Sequence, residues 1–359
     1  MDIFTEIRER IVTAWGECII PANLKNLHCD ERITAGGFNT GEAVVYPGRY
    51  CYAFKLKNSS EKPEKCLRLW KVTIDSEYEY QVAKSISEAI NNVENKCGLK
   101  CFVGFEYKEE LLRLDNVVIP GLLMDWGGET LFELVNGNRK PTHEQYRLLA
   151  NNFYQICGKM KEIGIVHGDL SALNILVDEN WNIKLIDYDS LYIPSMGLVD
   201  GQSTSGTGGF QHPGRSNVKT MSDDNFSQLI IYISLLAYSH GIVLDDNKVS
   251  QNTDKKQETL LFSQSDLSNK TEFKNAAGYK AIKATNDPKL LFYLDALEKA
   301  FDVHYDEVPF LCDLIYEPKE KSMPLTRYAN FCGTCGHHFD NQTDLYCPDC
   351  GKKREIFRS

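Results

Sequence analysis

Residues 166–189, VHGDLSALNILVDENWNIKLIDYD, constrain the fold more than any other stretch of this chain. Two apolar segments, Ile175-Leu176-Val177 and Ile183 to Ile186, are set between acidic and amide residues, which predicts a strand, a turn and a second strand. His167, Asp169, Asn174 and Asp187 then fall where buried strands end, the places at which a rigid scaffold presents reactive groups. The spacing D-x-x-x-x-N, followed by an Asp at a strand end, is what magnesium-assisted phosphoryl transfer needs. One carboxylate orients the attacking hydroxyl, while an amide and a second carboxylate hold metal on a triphosphate. Asp169 is the candidate for the first role, and Asn174 with Asp187 for the second. Four such residues scattered through ordinary turns is the competing reading, and the apolar strands between them argue against it.

HGDLSALN resembles the H-R-D-L-x-x-x-N catalytic loop of protein kinases, and IDYD resembles their metal-binding D-F-G. The resemblance implies an α+β protein of two lobes, a β-rich N-lobe and a helical C-lobe, using ATP and Mg2+ with Asp169 as base. Three positions depart from the pattern: Gly168 stands for Arg, Ser171 for the Lys common in serine/threonine kinases, and Asp189 for Gly. HGDL is also the form seen in antibiotic and other small-molecule kinases. A protein serine/threonine kinase is therefore the leading reading, with a small-molecule kinase of aminoglycoside-phosphotransferase type and a non-catalytic pseudokinase scaffold beside it.

Upstream, Ile3, Phe4, Ile7, Ile11, Val12 and Trp15 recur at near-helical spacing, predicting one amphipathic helix over residues 1–20 that Pro21 ends. EAVVYPGRYCYAFKLK, residues 42–57, predicts a hairpin turning at Pro47-Gly48. On the kinase resemblance this is a reduced phosphate-covering loop, with Gly48 for its middle glycine, Cys51 for the third and Ala53 for its valine. The strand Lys65 to Lys71 puts Cys66, Arg68 and Trp70 on one face and Leu67, Leu69 and Lys71 on the other. As the third kinase strand, it would roof the adenine with Cys66 and replace the phosphate-binding lysine with Arg68, whose fork can grip phosphate bidentately. Strand parity favours Arg68 over Lys71. Asp75 to Val93 predicts a helix with Val82, Ala83, Ile86 and Ile90 on one stripe. Glu79 falls on that stripe, where an inward carboxylate needs a cation, so it is the candidate partner of Arg68. Two further strands are predicted from Cys101 to Tyr107 and from Asn116 to Trp126. The second ends at Met124, Asp125 and Trp126, which resemble a kinase hinge whose backbone would hydrogen-bond adenine.

Thr130 to Val135 and Thr142 to Ile163 predict C-lobe helices. Ser190 to Arg215 is a long loop in which Ser203, Thr204, Ser205 and Thr207 offer hydroxyls for phosphorylation; in a kinase it is the activation segment, and FQHPGR closes it where A-P-E would stand. Ser222 to Ser227 provides caps for an apolar helix, Leu229 to Ala237. Asp224 matches the buried kinase Asp that anchors the catalytic loop. HGDLxxxNIL, IDYD, GGFQHPGR and DNFSQLIIYISLL together resemble a bacterial group of kinase-like proteins, the tellurite-resistance-associated TerY-P type, encoded beside von Willebrand-type and phosphatase partners. That group tends to carry Arg in the third strand and a small C-terminal domain. Residues 241–286 give no periodic signal, whereas Pro288 to Phe301 predicts an amphipathic helix.

The tail carries Cys332-x-x-Cys335-Gly336 and Cys347-x-x-Cys350-Gly351. Four thiolates in two such knuckles make a closed, structural Zn2+ site, a zinc ribbon too small to fold on its own core, with disulfides or an iron-sulfur centre as the minor alternatives; His337 and His338 are superfluous as ligands. The expected layout is an N-terminal helix and N-lobe over 1–125, a C-lobe over 126–316, a linker over 317–328 and the ribbon over 329–359. A formal net charge of −10 argues against nucleic acid as the partner. The expected partners are a protein substrate and a docking protein for the ribbon, and the oligomeric state is left open. Of twelve Cys, eight are scattered singly, which fits reduced thiols in the cytoplasm. No stretch is apolar for long enough to span a membrane.

Overall fold

Helix-breaking and turn-forming residues divide residues 3–47 into short pieces. In a computed structural model, the described residues are all except 1–2, 35–36, 38, 48–50, 71–75, 99, 138–139, 194–205, 217, 245–258, 318–326, 329–330, 340–343, 355 and 358–359. The side chains of 3–4, 47, 76–80, 82–83, 94–97, 189, 327–328 and 356–357 are likewise outside the description. The chain divides into two units, Met1–Ile315 and Tyr316–Ser359.

The first unit opens with α1 (Ile3–Thr13) and α2 (Trp15–Cys18), not the single helix expected, because Ala14 leaves helical geometry at φ −139°. The break lets the Trp15 indole donate to the carbonyl of Leu24 at 2.8 Å. Short strands β1 (His28–Cys29), β2 (Glu31–Ile33), β3 (Asn39–Ala43) and β4 (Tyr46–Pro47) follow, then the long β5 (Cys51–Lys57) and β6 (Pro63–Trp70). After α3 (Ser76–Cys97) come β7 (Phe105–Leu114) and β8 (Val117–Asp125). The order β1-β5-β6-β8-β7, with β4 on β5, makes an antiparallel sheet; β2 and β3 pair separately.

Alternation gives this sheet two different faces. Leu67 and Leu69 are buried with Phe54, Leu56, Ile7, Ile11 and Trp15, so the N-terminal helices cover the apolar face. Cys66, Arg68 and Trp70 point the other way and stay partly accessible. The strand predicted over 101–107 begins only at Phe105 and runs on to Leu114, because pairing with β8 resumes at Leu112 after a register shift that takes in Glu109 and Glu110.

The remainder is helical apart from β9 (Glu129–Thr130), which joins a small sheet further on. A capping box at Thr130 with Glu133 starts α4 (Leu131–Asn136), and one at Thr142 with Gln145 starts α5 (His143–Ile163). Gly164, at φ +71°, ends α5. β10 (Ile175–Val177) and β11 (Ile183–Leu185) complete the sheet β11-β10-β9. α6 (Asn225–Ser239) is buried along its whole length, as expected of a helix apolar all round. Ring pairs Tyr146–Tyr238, Tyr154–Tyr232 and Tyr232–Tyr293 join it to α5 and to the later α9. The unperiodic stretch after 241 contains α7 (Lys270–Asn275), capped by Asn269, and α8 (Ala277–Thr285), before α9 (Pro288–Ala300). Among its described residues, Phe262 and Tyr279 both pack on Phe273.

In the second unit, β12 (Arg327–Tyr328) pairs with β13 (Ile356–Phe357). Among the described residues, no helix is long and apolar enough to cross a membrane.

Candidate active site

The loop carrying Asp169 is held from α6. Asp224 is the N-terminal cap residue of that helix, but its carboxylate does not cap it. Its two oxygens accept from the backbone amides of His167 at 2.6 Å and Gly168 at 2.9 Å. Burial pushes the Asp224 carboxyl above its ordinary value, while His167 and the two amides pull the other way. The residue type suits a helix cap, but the carboxylate takes the anchoring role that the kinase resemblance implies, because those two buried amides need an acceptor. The departure at 168 has a steric cause: φ is +80°, and a Cβ there would lie 2.4 Å from the carbonyl oxygen of Ser190. An arginine does not fit. The His167 ring donates from Nε2 to the carbonyl of Ile186 at 2.8 Å, so its Nδ1 accepts from the amide of Asp169 at 3.3 Å.

The metal-side groups are tied together through backbone. Asn174 donates from its side-chain amide to the carbonyl of Asp169 at 2.8 Å, and its own carbonyl accepts from the amide of Ile186 at 3.0 Å. That orientation leaves the Asn174 side-chain oxygen for a cation. Asp187 adopts φ +68°, ψ +75°, a left-handed conformation that costs an L-residue about 1 kcal/mol or more and recurs at functional sites. A guanidinium nitrogen of Arg68 lies 3.4 Å from its carboxylate. The oxygens of Asn174 and Asp187 are hard donors, which suits Mg2+, and Arg68 already brings positive charge to that place. Tyr188, next in the chain, accepts from the Val103 amide at 2.8 Å and donates toward the carbonyls of Leu185 and Val103, at 2.5 and 3.0 Å. Its ring stacks on Phe105.

Asp169 itself is held by the segment 206–215. Its Oδ1 accepts from the amide of Thr207 at 2.6 Å, and the Gln211 side-chain nitrogen lies 3.5 Å from the same oxygen. Arg215 donates to the Gln211 side-chain oxygen and, at 3.2 Å, to Asp223. Both members of that ion pair are buried. Asp223 also accepts from the Thr220 amide and hydroxyl. Gln211, Arg215 and Asp223 were given no role at the site by the sequence; Gln211 and Arg215 were read only as part of FQHPGR, the run that closes the segment, and Asp223 only as part of a capping run.

On the N-lobe side, Arg68 faces Ala53 and Leu122 across the sheet, and Cys66 faces Met124. Burial pushes the Cys66 thiol up to about 11, so it stays uncharged. Cys51 is buried opposite Trp70. The hinge expectation is sharpened: the Asp125 amide donates to Gly104 at 2.9 Å and the Trp126 amide to Glu64 at 3.0 Å, so neither is left for a purine. The Asp125 side chain pairs with Lys65. Gly48, Lys71 and the hydroxyls of Ser203, Thr204 and Ser205 lie outside the described residues, as does the Glu79 side chain.

In the second unit, the sulfurs of Cys332, Cys335, Cys347 and Cys350 lie within 4.8 Å of one another. Two pairs are 3.5 Å apart, and a tetrahedral zinc with about 2.3 Å bonds would set its sulfurs about 3.8 Å apart. The two knuckles repeat the same bonds: Cys332 N to His337 O and Gly336 N to Cys332 O; Cys347 N to Lys352 O and Gly351 N to Cys347 O. Gly336 and Gly351 take φ +75° and +71° to make them. The amides of Cys335 and Thr334 draw the Cys332 thiol down to about 6, while contacts with the neighbouring sulfurs push Cys335 and Cys350 up, as expected of crowded thiols that share a proton. The residues fit zinc. His337 pairs with Asp349 at 2.9 Å, and Arg354 lies over the Phe339 ring.

A two-lobed α+β arrangement with this loop defines a kinase-like protein. A model of the RIO domain matches residues 111–191. A probable serine/threonine-protein kinase of Streptomyces coelicolor is 32% identical over 76 residues, which are 21% of this chain and 11% of that protein. The chain thus spans about a tenth of the length of the curated relative it matches.

Proposed function

We propose that this chain is an ATP- and magnesium-dependent phosphotransferase of the protein-kinase type, moving the γ-phosphate to a serine or threonine hydroxyl of a protein. The observation that carries the reading is a buttressed carboxylate, Asp169, on one loop with Asn174, whose backbone is tied to the strand end that carries Asp187 beside the guanidinium of Arg68. Bound Mg2+ would neutralise charge on the transferred phosphate. Asn174 and Asp187 would hold it, Arg68 would grip phosphate oxygens, and Cys66 and Met124 would line the base. Oδ1 of Asp169 is engaged by the Thr207 amide, so Oδ2 is the oxygen placed to receive the acceptor's proton.

A protein acceptor is preferred to a small molecule because the segment 206–215 folds back onto Asp169, making a wall against which an extended peptide can lie. The ribbon is read as a docking module for a protein partner in the cytoplasm, and the TerY-P-type group is the family to which the motifs point. The deciding experiment is Asp169→Asn with labelled Mg-ATP and casein. Phosphate transfer should fall by about a hundredfold or more while Mg-ATP binding and melting temperature stay near wild type. Equal transfer by the variant would sink the reading.

A further inference from the structure

We infer that Gln211 is a positioning residue for Asp169, aimed by the buried Arg215–Asp223 pair; this rests on Asp169 being the base. Three observations converge. First, the Gln211 side chain bridges the two: its nitrogen lies 3.5 Å from Asp169 Oδ1 and its oxygen accepts from Arg215. Because a guanidinium can only donate, the contact with Arg215 fixes which end of the amide faces Asp169. Second, Arg215 cannot wander, since it is buried and paired with Asp223, whose other oxygen is held by Thr220. Third, the chain makes room for this side chain. Gly206 stands at φ +68°, and a Cβ there would lie 2.5 Å from the Gln211 nitrogen. A built seat of this kind is not needed for a surface glutamine.

The catalytic loop does not supply such a donor. Ser171 is fully buried, and among the described residues its hydroxyl has no hydrogen-bond partner. The donors on Asp169 therefore come from the opposite segment, through the Thr207 amide and the Gln211 side chain, both on Oδ1. Two donors on one oxygen fix the carboxylate plane and turn Oδ2 toward an incoming hydroxyl. A displacement of about 1 Å in that plane is enough to cost a large factor in rate.

The test uses full-length protein and four forms: wild type, Gln211→Glu, Asp169→Asn and the double variant. Gln211→Glu keeps an acceptor for Arg215, so the seat is preserved, but it replaces the donor with a carboxylate. In nucleotide-free protein, Gln211→Glu should lower the melting temperature more in the wild-type background than in Asp169→Asn, because two facing carboxylates repel. In transfer from Mg-ATP to casein, Gln211→Glu should reduce kcat by about ten- to a hundredfold while KM for ATP stays within about twofold. Equal melting shifts in both backgrounds, or wild-type kcat in Gln211→Glu, would overturn the role of Gln211 and leave Asp169 as base. Turnover that survives Asp169→Asn would overturn the base assignment, and this inference with it.

Discussion

The two units hold their polar centres in opposite ways. In Tyr316–Ser359 the first cysteine of each knuckle is held by backbone hydrogen bonds between residues four or five apart, made twice in the same form, around a buried set of Cys332, Cys347 and Phe339. In Met1–Ile315 the site is assembled from far along the chain. Thr207 reaches Asp169 across 38 positions, Asp224 reaches His167 across 57, and Arg68 reaches Asp187 across 119. A locally made centre can be lost without disturbing anything else, and depends on its metal for strength. One made at long range fails only with the core that holds it.

Removing the metal breaks this contrast most severely. Structural zinc in small fingers contributes about 10–16 kcal/mol, so chelation or Cys347→Ser should unfold Tyr316–Ser359 and leave Met1–Ile315 intact. Hydrogen exchange would show protection lost in the ribbon alone; loss across both units would mean the two are one cooperative body. Next is Arg215→Ala, which strands a buried carboxylate on Asp223 and should cost about 3–5 kcal/mol in chemical denaturation of the first unit. A cost under about 1 kcal/mol would show that water replaces the pair. Gly168→Ala should cost about 1–3 kcal/mol, since Ser190 must move and the backbone is left-handed.

The smallest effect is titration of His212. Its Nε2 donates to Ala300 and its Nδ1 accepts from Gly214, so the ring is neutral in the fold. Burial, helped by His304, holds its pKa below 6.5 against the pull of the Ala300 carbonyl. The unfolded chain therefore takes up the proton first. The stabilisation is complete above about pH 6.5 and is lost as pH falls toward the folded value. Melting curves from pH 7.5 to 5 should decline less steeply for His212→Gln than for wild type; parallel declines would remove His212 from the account.

How much of this could be read from residues alone follows the same contrast. The knuckles, β10, β11, α5 and α9 are written in local spacing and caps, and the sequence places them close to where they lie. The role of Asp224 required a family resemblance, because its residue type equally suits a helix cap. The break at Ala14 depends on the Trp15 bond to Leu24, and α7 and α8 on an aromatic cluster spread from Phe262 to Phe301. Gln211 was illegible for the same reason: nothing within its own segment says which carboxylate its amide will meet.

The hydroxyl of Tyr188 has a consequence for pharmacology. A phenyl ring following Asp187 would be held by packing alone, whereas this ring is also bound at its tip to Val103 and Leu185. A compound that displaces that side chain loses the hydroxyl's bonds to Val103 and Leu185 as well as the stacking on Phe105, although the Val103 amide keeps its bond to the Leu185 carbonyl. On the proposed nucleotide site, compounds that leave the ring in place beside Cys66 and Met124 should bind better than ones that displace it, and Tyr188→Phe should narrow the gap between the two kinds.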